Sequence, residues 1–168
     1  TSFTQDSKTK KMVYSSGGGV VIWSDGKESL IATARHVVKE EDIMLIKTRD
    51  SQITADGRIV WKHEDKDVDL VVIRASVNLK PAPLCSCAKA SPGDYVIVIA
   101  HPLSEYSGRR KLWFVSDGTI ESTGETIFTT AYSSHGSSGG GLFSGDGCLL
   151  GIISGRITKT ISFRGRSL

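Results

Sequence analysis

Short apolar stretches run the length of the chain, each broken by glycine, proline, aspartate or a charged cluster, and none holds a helical period for long. That pattern confines the fold to an all-β class. Strand material is expected at residues 12–23 around Gly17, Gly18 and Gly19, followed by a turn at Asp25-Gly26 and a second strand at 29–33 leading to His36. Further strands are expected at 43–47, 57–61 and 68–74. The stretch 75–92 carries Pro81, Pro83 and Pro92 without strand alternation, so it is expected to connect two halves. A second set of strands is expected at 95–100, 111–122, 126–132, 140–143 and 148–154, with a turn at Ser144-Gly145-Asp146-Gly147. Strand spacing alone does not separate a sandwich from a barrel.

A chain of 168 residues with 39% hydrophobic content is long enough for one packed domain. No run approaches the roughly 18 apolar residues of a membrane span. The formal charge of +3, from 21 basic and 18 acidic residues, points to no polyanionic partner, so nucleic acid is not expected. The one tight basic cluster, Arg109-Arg110-Lys111, reads as a solvated loop. The opening TSFTQDSKTKK lacks the apolar core of a secretory signal, and three cysteines cannot pair completely. An intracellular location is therefore expected over a secreted one, with little support for a disulfide framework.

The most specific segment is Gly136-Ser137-Ser138-Gly139-Gly140-Gly141-Leu142. A serine hydroxyl is a weak nucleophile; it needs a base to take its proton and fixed donors for the oxyanion that follows attack. Flanking glycines permit the tight turn that exposes such a hydroxyl and aims nearby amides. Upstream, Ala32-Thr33-Ala34-Arg35-His36-Val37-Val38 places a histidine where a strand ends. Between them, Lys66-Asp67-Val68-Asp69-Leu70-Val71-Val72-Ile73 sets an acid directly before an apolar strand. Asp65, Asp67, His63, His101 and His135 also compete for the acid and base roles.

In the order His, Asp, Ser, these segments resemble the trypsin-like superfamily. Gly17-Gly18-Gly19-Val20, Thr33 to Val38, Asp69 to Val72 and Gly93-Asp94-Tyr95-Val96 are similar to HtrA-type and viral trypsin-like proteases, over most of the chain. The resemblance implies two six-stranded antiparallel β-barrels of the chymotrypsin type with the active site between them. They would form one protease domain over 1–168: an N-terminal barrel at about 12–75, a connection at 76–92 and a C-terminal barrel at 93–165. It implies a serine endopeptidase acting through an acyl-enzyme, with Ser138 as nucleophile, His36 as acid/base, Asp69 as orienting carboxylate, and the Gly136 and Ser138 amides as oxyanion hole. The chemistry would require no cofactor. A polyprotein-processing role is the expectation from the viral likeness, with a protein or polyprotein substrate and a candidate cofactor peptide. Two other classes compete: a catalytically silent relative serving as a peptide-binding module, and a β-sandwich binding domain with a chance glycine-rich loop.

The resemblance also places Tyr132, Ser134, His135, Ile153, Ser154, Gly155 and Arg156 at the substrate, with 154–156 pairing with its backbone. Tyr132 stands where trypsin carries its acid, so a basic preference is not implied; Arg156 and His135 read as ordinary exposed groups, the competing reading being that either draws an acidic or polar residue. Ser137 and Gly141 stand where many secreted members carry Asp and Pro. Finally, Cys85, Cys87 and Cys148 fall where hepacivirus and enterovirus proteases hold a structural zinc, and a fourth ligand would come from Asp146, a histidine or water. Three reduced thiols are the competing reading.

Overall fold

The computed structural model describes residues 2–5, 12–38, 43–47, 52–85, 89–102 and 113–154. It is built of strands, with one short 3-10 turn at Arg35–Val37. The strands are β1 (Ser2–Gln5), β2 (Met12–Ser15), β3 (Val20–Ser24), β4 (Ser29–Thr33), β5 (Ile43–Lys47), β6 (Gln52–Lys62), β7 (Val71–Ala75), β8 (Tyr95–Ala100), β9 (Phe114–Ser122), β10 (Phe128–Thr129), β11 (Gly141–Ser144) and β12 (Leu149–Ile152). They form two antiparallel sheets, one ordered β2-β1-β5-β6-β7-β4-β3 and the other β10-β9-β8-β11-β12. The all-β class is as expected. The division is seven and five strands among the described residues, where six and six were expected; the first sheet includes β1, an unexpected strand paired with β2 and β5.

Chain connectivity curls the first sheet. Its two edge strands, β2 and β3, are sequence neighbours separated only by Ser16 to Gly19. Laid flat, seven strands would hold those edges about 29 Å apart at the usual inter-strand spacing. The intervening backbone reaches about 18 Å at full extension. The sheet must therefore bend round on itself, as in a barrel.

The β3–β4 turn has a local cause. Asp25 Oδ1 accepts the Lys27 and Glu28 amides at 2.8 Å each. Those backbone donors, Glu28 first, hold the Asp25 carboxyl below its ordinary pKa. Across the interior, Ile31, Ala55, Ile73 and Ala75 form one core and Val96, Val98, Ala100, Ile120, Ala131 and Leu142 another. Strand β8 buries Val96, Val98 and Ala100 and turns Tyr95, Ile97 and Ile99 away from that core, an alternation of burial within a run that is apolar throughout.

One residue stretch links both sheets. The described residues between β7 and β8 form no strand; within them Ala82 donates its amide to Val21 O at 2.8 Å, and Pro83 O accepts from Leu149 at 3.0 Å. Among the described residues no helix is long and apolar enough to cross a membrane.

Strand β9 offers a direct test of this packing. Ile120 is 2% exposed in the second core, whereas Val115, on the opposite face, is 59% exposed. Ile120→Ala should cost about 2–5 kcal/mol in urea unfolding, and Val115→Ala within about 0.5 kcal/mol. Equal costs would refute the assignment of faces.

Candidate active site

Three segments meet through backbone groups and one threonine hydroxyl. Strand β4 ends at Thr33, whose buried hydroxyl donates to Gly18 O at 2.7 Å. The Gly18 amide in turn donates to Ser138 O at 2.7 Å. Such an approach demands glycine. A Cβ on Gly17 would lie 2.6 Å from the Val37 side chain and 2.8 Å from Ser138 O, and one on Gly18 would lie 2.8 Å from the Gly140 amide nitrogen. Gly139, at φ +83°, would drive a Cβ into the Gly18 carbonyl. The Gly17–Gly19 strap thus holds Ser138 against the 3-10 turn that carries His36.

His36 and Asp69 are paired. His36 Nδ1 and Asp69 Oδ2 are 2.5 Å apart, and the His36 amide donates to Asp69 Oδ1 at 2.9 Å. A carboxylate only accepts, so Nδ1 carries a proton, and in the neutral imidazole Nε2 then holds the lone pair. Ser154 Oγ adds a third donor, reaching Asp69 Oδ2 at 2.8 Å. Ser154 follows Ile153, whose carbonyl accepts from Gly139 at 2.7 Å and whose amide donates to Gly140 O at 2.8 Å. The acid is therefore tied to both neighbours, the histidine turn and the serine loop. Among the described residues no hydrogen bond joins Ser138 Oγ to His36; such bonds are commonly long before substrate binds.

The serine loop is shaped locally. Gly136 and Gly139 have φ of +87° and +83°. Ser137, 2% exposed, accepts the Ser134 amide on its hydroxyl at 3.1 Å while its own amide donates to Ser134 O at 3.0 Å. Tyr132 is half exposed; its ring stands edge-on to Phe114 with centroids 5.8 Å apart, and its carbonyl accepts from Ser116 Oγ at 2.6 Å. His135 is exposed, and Ile153 packs against the second core. Gly155 and Arg156 lie outside the described residues, as does the Arg109–Lys111 cluster.

Three of the competitors hold other partners. His63 Nδ1 accepts the Asp65 amide at 3.1 Å, His101 Nδ1 accepts the Trp113 amide at 3.0 Å, and Asp65 Oδ1 accepts the Asp67 amide at 2.9 Å. Sequence reasoning missed two contributors. Ser154 was expected to act through its backbone, yet its hydroxyl is what reaches Asp69. Arg35 enters the sequence reading only as part of a motif, yet its guanidinium bonds backbone carbonyls of the loop before Asp69, a role that no sequence signal marks.

Two of the three cysteines expected at zinc are bonded to each other. Cys85 and Cys148 form a disulfide, with Cα atoms 5.6 Å apart. Sulfurs bonded to each other have no thiolate to give a metal, so this pair does not supply the expected zinc ligands in that state. The reading of three reduced thiols fails for the same two residues. Cys87 lies outside the described residues, and no group of metal-binding side chains occurs among the described ones.

A two-sheet β fold joined at a serine loop, with a histidine–aspartate pair against it, defines the trypsin-like class. The chain belongs to that family: residues 17–152 match the trypsin-like peptidase domain. Among curated relatives it is 30% identical over 160 residues to serine protease HTRA1 of Xenopus laevis, covering 88% of this chain and 33% of that protein. It is 29% identical over 140 residues to periplasmic serine endoprotease DegP of Salmonella typhimurium, covering 81% and 29%. Against magnetosome formation protease MamE of Magnetospirillum gryphiswaldense the figures are 29% over 167 residues, 94% and 21%. The chain spans about a third or less of each of these relatives. These are proteins of cellular organisms and lend nothing to the viral likeness. The periplasmic name of one leans against the intracellular expectation.

The disulfide makes a quantitative test, because it closes a sequence separation of 63 residues. Chain-entropy arguments give about 4 kcal/mol for a loop of that size. Cys148→Ala should lower unfolding stability by about 2–5 kcal/mol under oxidising conditions and leave stability in excess reductant unchanged. A variant as stable as the parent under oxidising conditions would contradict the bond.

Proposed function

We propose that the chain is a serine endopeptidase in which Ser138 is the nucleophile, His36 the general base and Asp69 the group that orients that base. The observation that carries this reading is the His36 Nδ1–Asp69 Oδ2 pair, held against a serine loop anchored by Gly18 and Ile153. Ser138 Oγ attacks the substrate carbonyl carbon as His36 Nε2 takes its proton, and Asp69 stabilises the imidazolium. The amides of Gly136 and Ser138 receive the oxyanion. Collapse breaks the C–N bond, and the proton held on Nε2 passes to the departing amine. Water, deprotonated by His36, then attacks the acyl-enzyme and releases Ser138.

The cleaved bond follows a residue without charge in this proposal. Phe114 and Tyr132 offer aromatic surface beside the serine loop, and Ser133 and Ser134 are small and half-buried. An Arg or Lys side chain entering there would meet no carboxylate among these four and would lose its hydration uncompensated. A P1 series of peptides should show Ala, Val or Leu favoured over Arg and Lys by about 10²-fold. Preference for Arg or Lys would overturn the assignment of this wall.

An oxidising compartment, outside the cytoplasm, suits the Cys85–Cys148 disulfide and agrees with the periplasmic name of one relative. Protein is the substrate class. Polyprotein processing and a cofactor peptide rest on the viral likeness alone.

Ser138→Ala and His36→Ala should each lower kcat by roughly 10⁴-fold or more with the fold intact. Turnover should also fall on acidification, because a protonated imidazole cannot accept the Ser138 proton. A fluorophosphonate probe should label Ser138 of the parent chain. Absence of labelling, with peptides left uncut, would favour the silent peptide-binding alternative.

A further inference from the structure

The acid of the pair sits at the end of a loop whose shape depends on one cation. Between β6 and β7 the chain turns through residues 63–70, and the turn is closed at its base by the His63 amide donating to Leu70 O at 3.1 Å. Inside it, the Val68 amide donates to Asp65 O at 3.2 Å and the Leu70 amide to Val68 O at 3.0 Å. These bonds fold the loop but leave its outer carbonyls converging on one place.

Arg35 occupies that place. Its Nη2 donates to His63 O at 2.6 Å and to Asp65 O at 3.4 Å, and its Nη1 to Lys66 O at 3.2 Å. Its own amide reaches Asp69 O at 3.3 Å. One residue therefore grips the loop at three carbonyls and again at the aspartate itself, and the next residue in the chain is His36. A planar guanidinium with its donors in a fixed fork suits several carbonyls at once, whereas a lysine ammonium is a single compact charge. Backbone rather than acidic side chains takes these bonds, so the arrangement sets loop geometry and not merely charge balance.

We propose that Arg35 is a positioning residue for the His36–Asp69 pair: by gathering the carbonyls of His63, Asp65 and Lys66, it fixes where the loop delivers the Asp69 carboxylate. It touches neither the substrate nor the reacting atoms. The inference rests on the catalytic reading given above, because it assigns Arg35 to the service of that pair. With the guanidinium removed, the loop carbonyls separate, Asp69 loses its fixed direction, and the imidazole spends less time with its proton on Nδ1 and its lone pair towards Ser138. Substrate contacts are untouched, so the loss falls on kcat.

Arg35→Ala and Arg35→Lys in the full chain supply the test, read by peptide hydrolysis and by the low-field NMR resonance of the His36 Nδ1 proton. Arg35→Ala should lower kcat about 10–100-fold with KM within about twofold, the size expected of a misplaced catalytic group. Its Nδ1 resonance should broaden or vanish. Arg35→Lys should fall between that variant and the parent. A folded Arg35→Ala protein with parental kcat and an unchanged resonance would overturn the proposal, as would a loss confined to KM. Should Arg35→Ala fail to fold, Arg35→Lys decides on the same readouts, with parental values counting against. An inactive parent chain would sink the peptidase reading alone, since the resonance still reports whether Arg35 positions the pair.

Discussion

The amide of Gly18 donating to the carbonyl of Ser138 is the contact on which the rest of the site depends. It joins the strap entering the first sheet to the loop that precedes β11 in the second, and the Thr33 hydroxyl fixes it from the other side. Hydrogen bonds of this kind contribute only about 1 kcal/mol each. Their importance here is geometric. They form only because Gly17, Gly18 and Gly139 carry no side chain, and a Cβ at any of them would meet neighbouring atoms well inside normal contact distance. The glycine clusters are the steric condition for two sheets to meet at the candidate nucleophile.

A second joint works by different means. The stretch between β7 and β8 gives one backbone bond to Val21 in the first sheet and accepts one from Leu149 in the second. Just beyond Pro83, Cys85 is bonded to Cys148, the residue before Leu149. A connection without strand structure thus acts as a splint. The two joints together restrict how the halves move relative to each other, which a site assembled from both requires, because small misplacements of a catalytic group are costly.

Strand identity was legible where short, β-branched apolar runs are bounded by turn-forming or charged residues, as in β4, β7 and β8, and the chemical residues were legible because each sits beside such a boundary. Other features were hidden for physical reasons. Strand β1 reads as SFTQ, too polar to announce itself, and it exists through pairing with β2 and β5. The expected strand at 126–132 shrinks to Phe128–Thr129 because threonine hydroxyls take over the ladder: Thr130 Oγ1 accepts the Thr119 amide and Thr129 Oγ1 the Ala131 amide. The disulfide was illegible because pairing depends on which cysteines the fold brings together, and an odd count of three argued against any. The roles of Arg35 and Ser154 were equally out of reach, since each acts across a long sequence separation on a group whose position only the fold supplies.

Asp69 shows why such a site belongs at the junction of two sheets. Its Oδ1 accepts the His36 amide, while Oδ2 is shared by the imidazole and the Ser154 hydroxyl. The two His36 donors come from the turn after β4, the serine from just beyond β12, and the carboxylate itself from the loop before β7. A carboxylate bound by one partner can swing about its own side-chain torsions; bound from three directions, it has a single orientation, and so does the imidazole it holds. That restriction cannot be built within one sheet, whose neighbouring side chains project in parallel. Donors approaching at different angles require a junction, and the glycine-lined contact of Gly18 with Ser138 is what creates it.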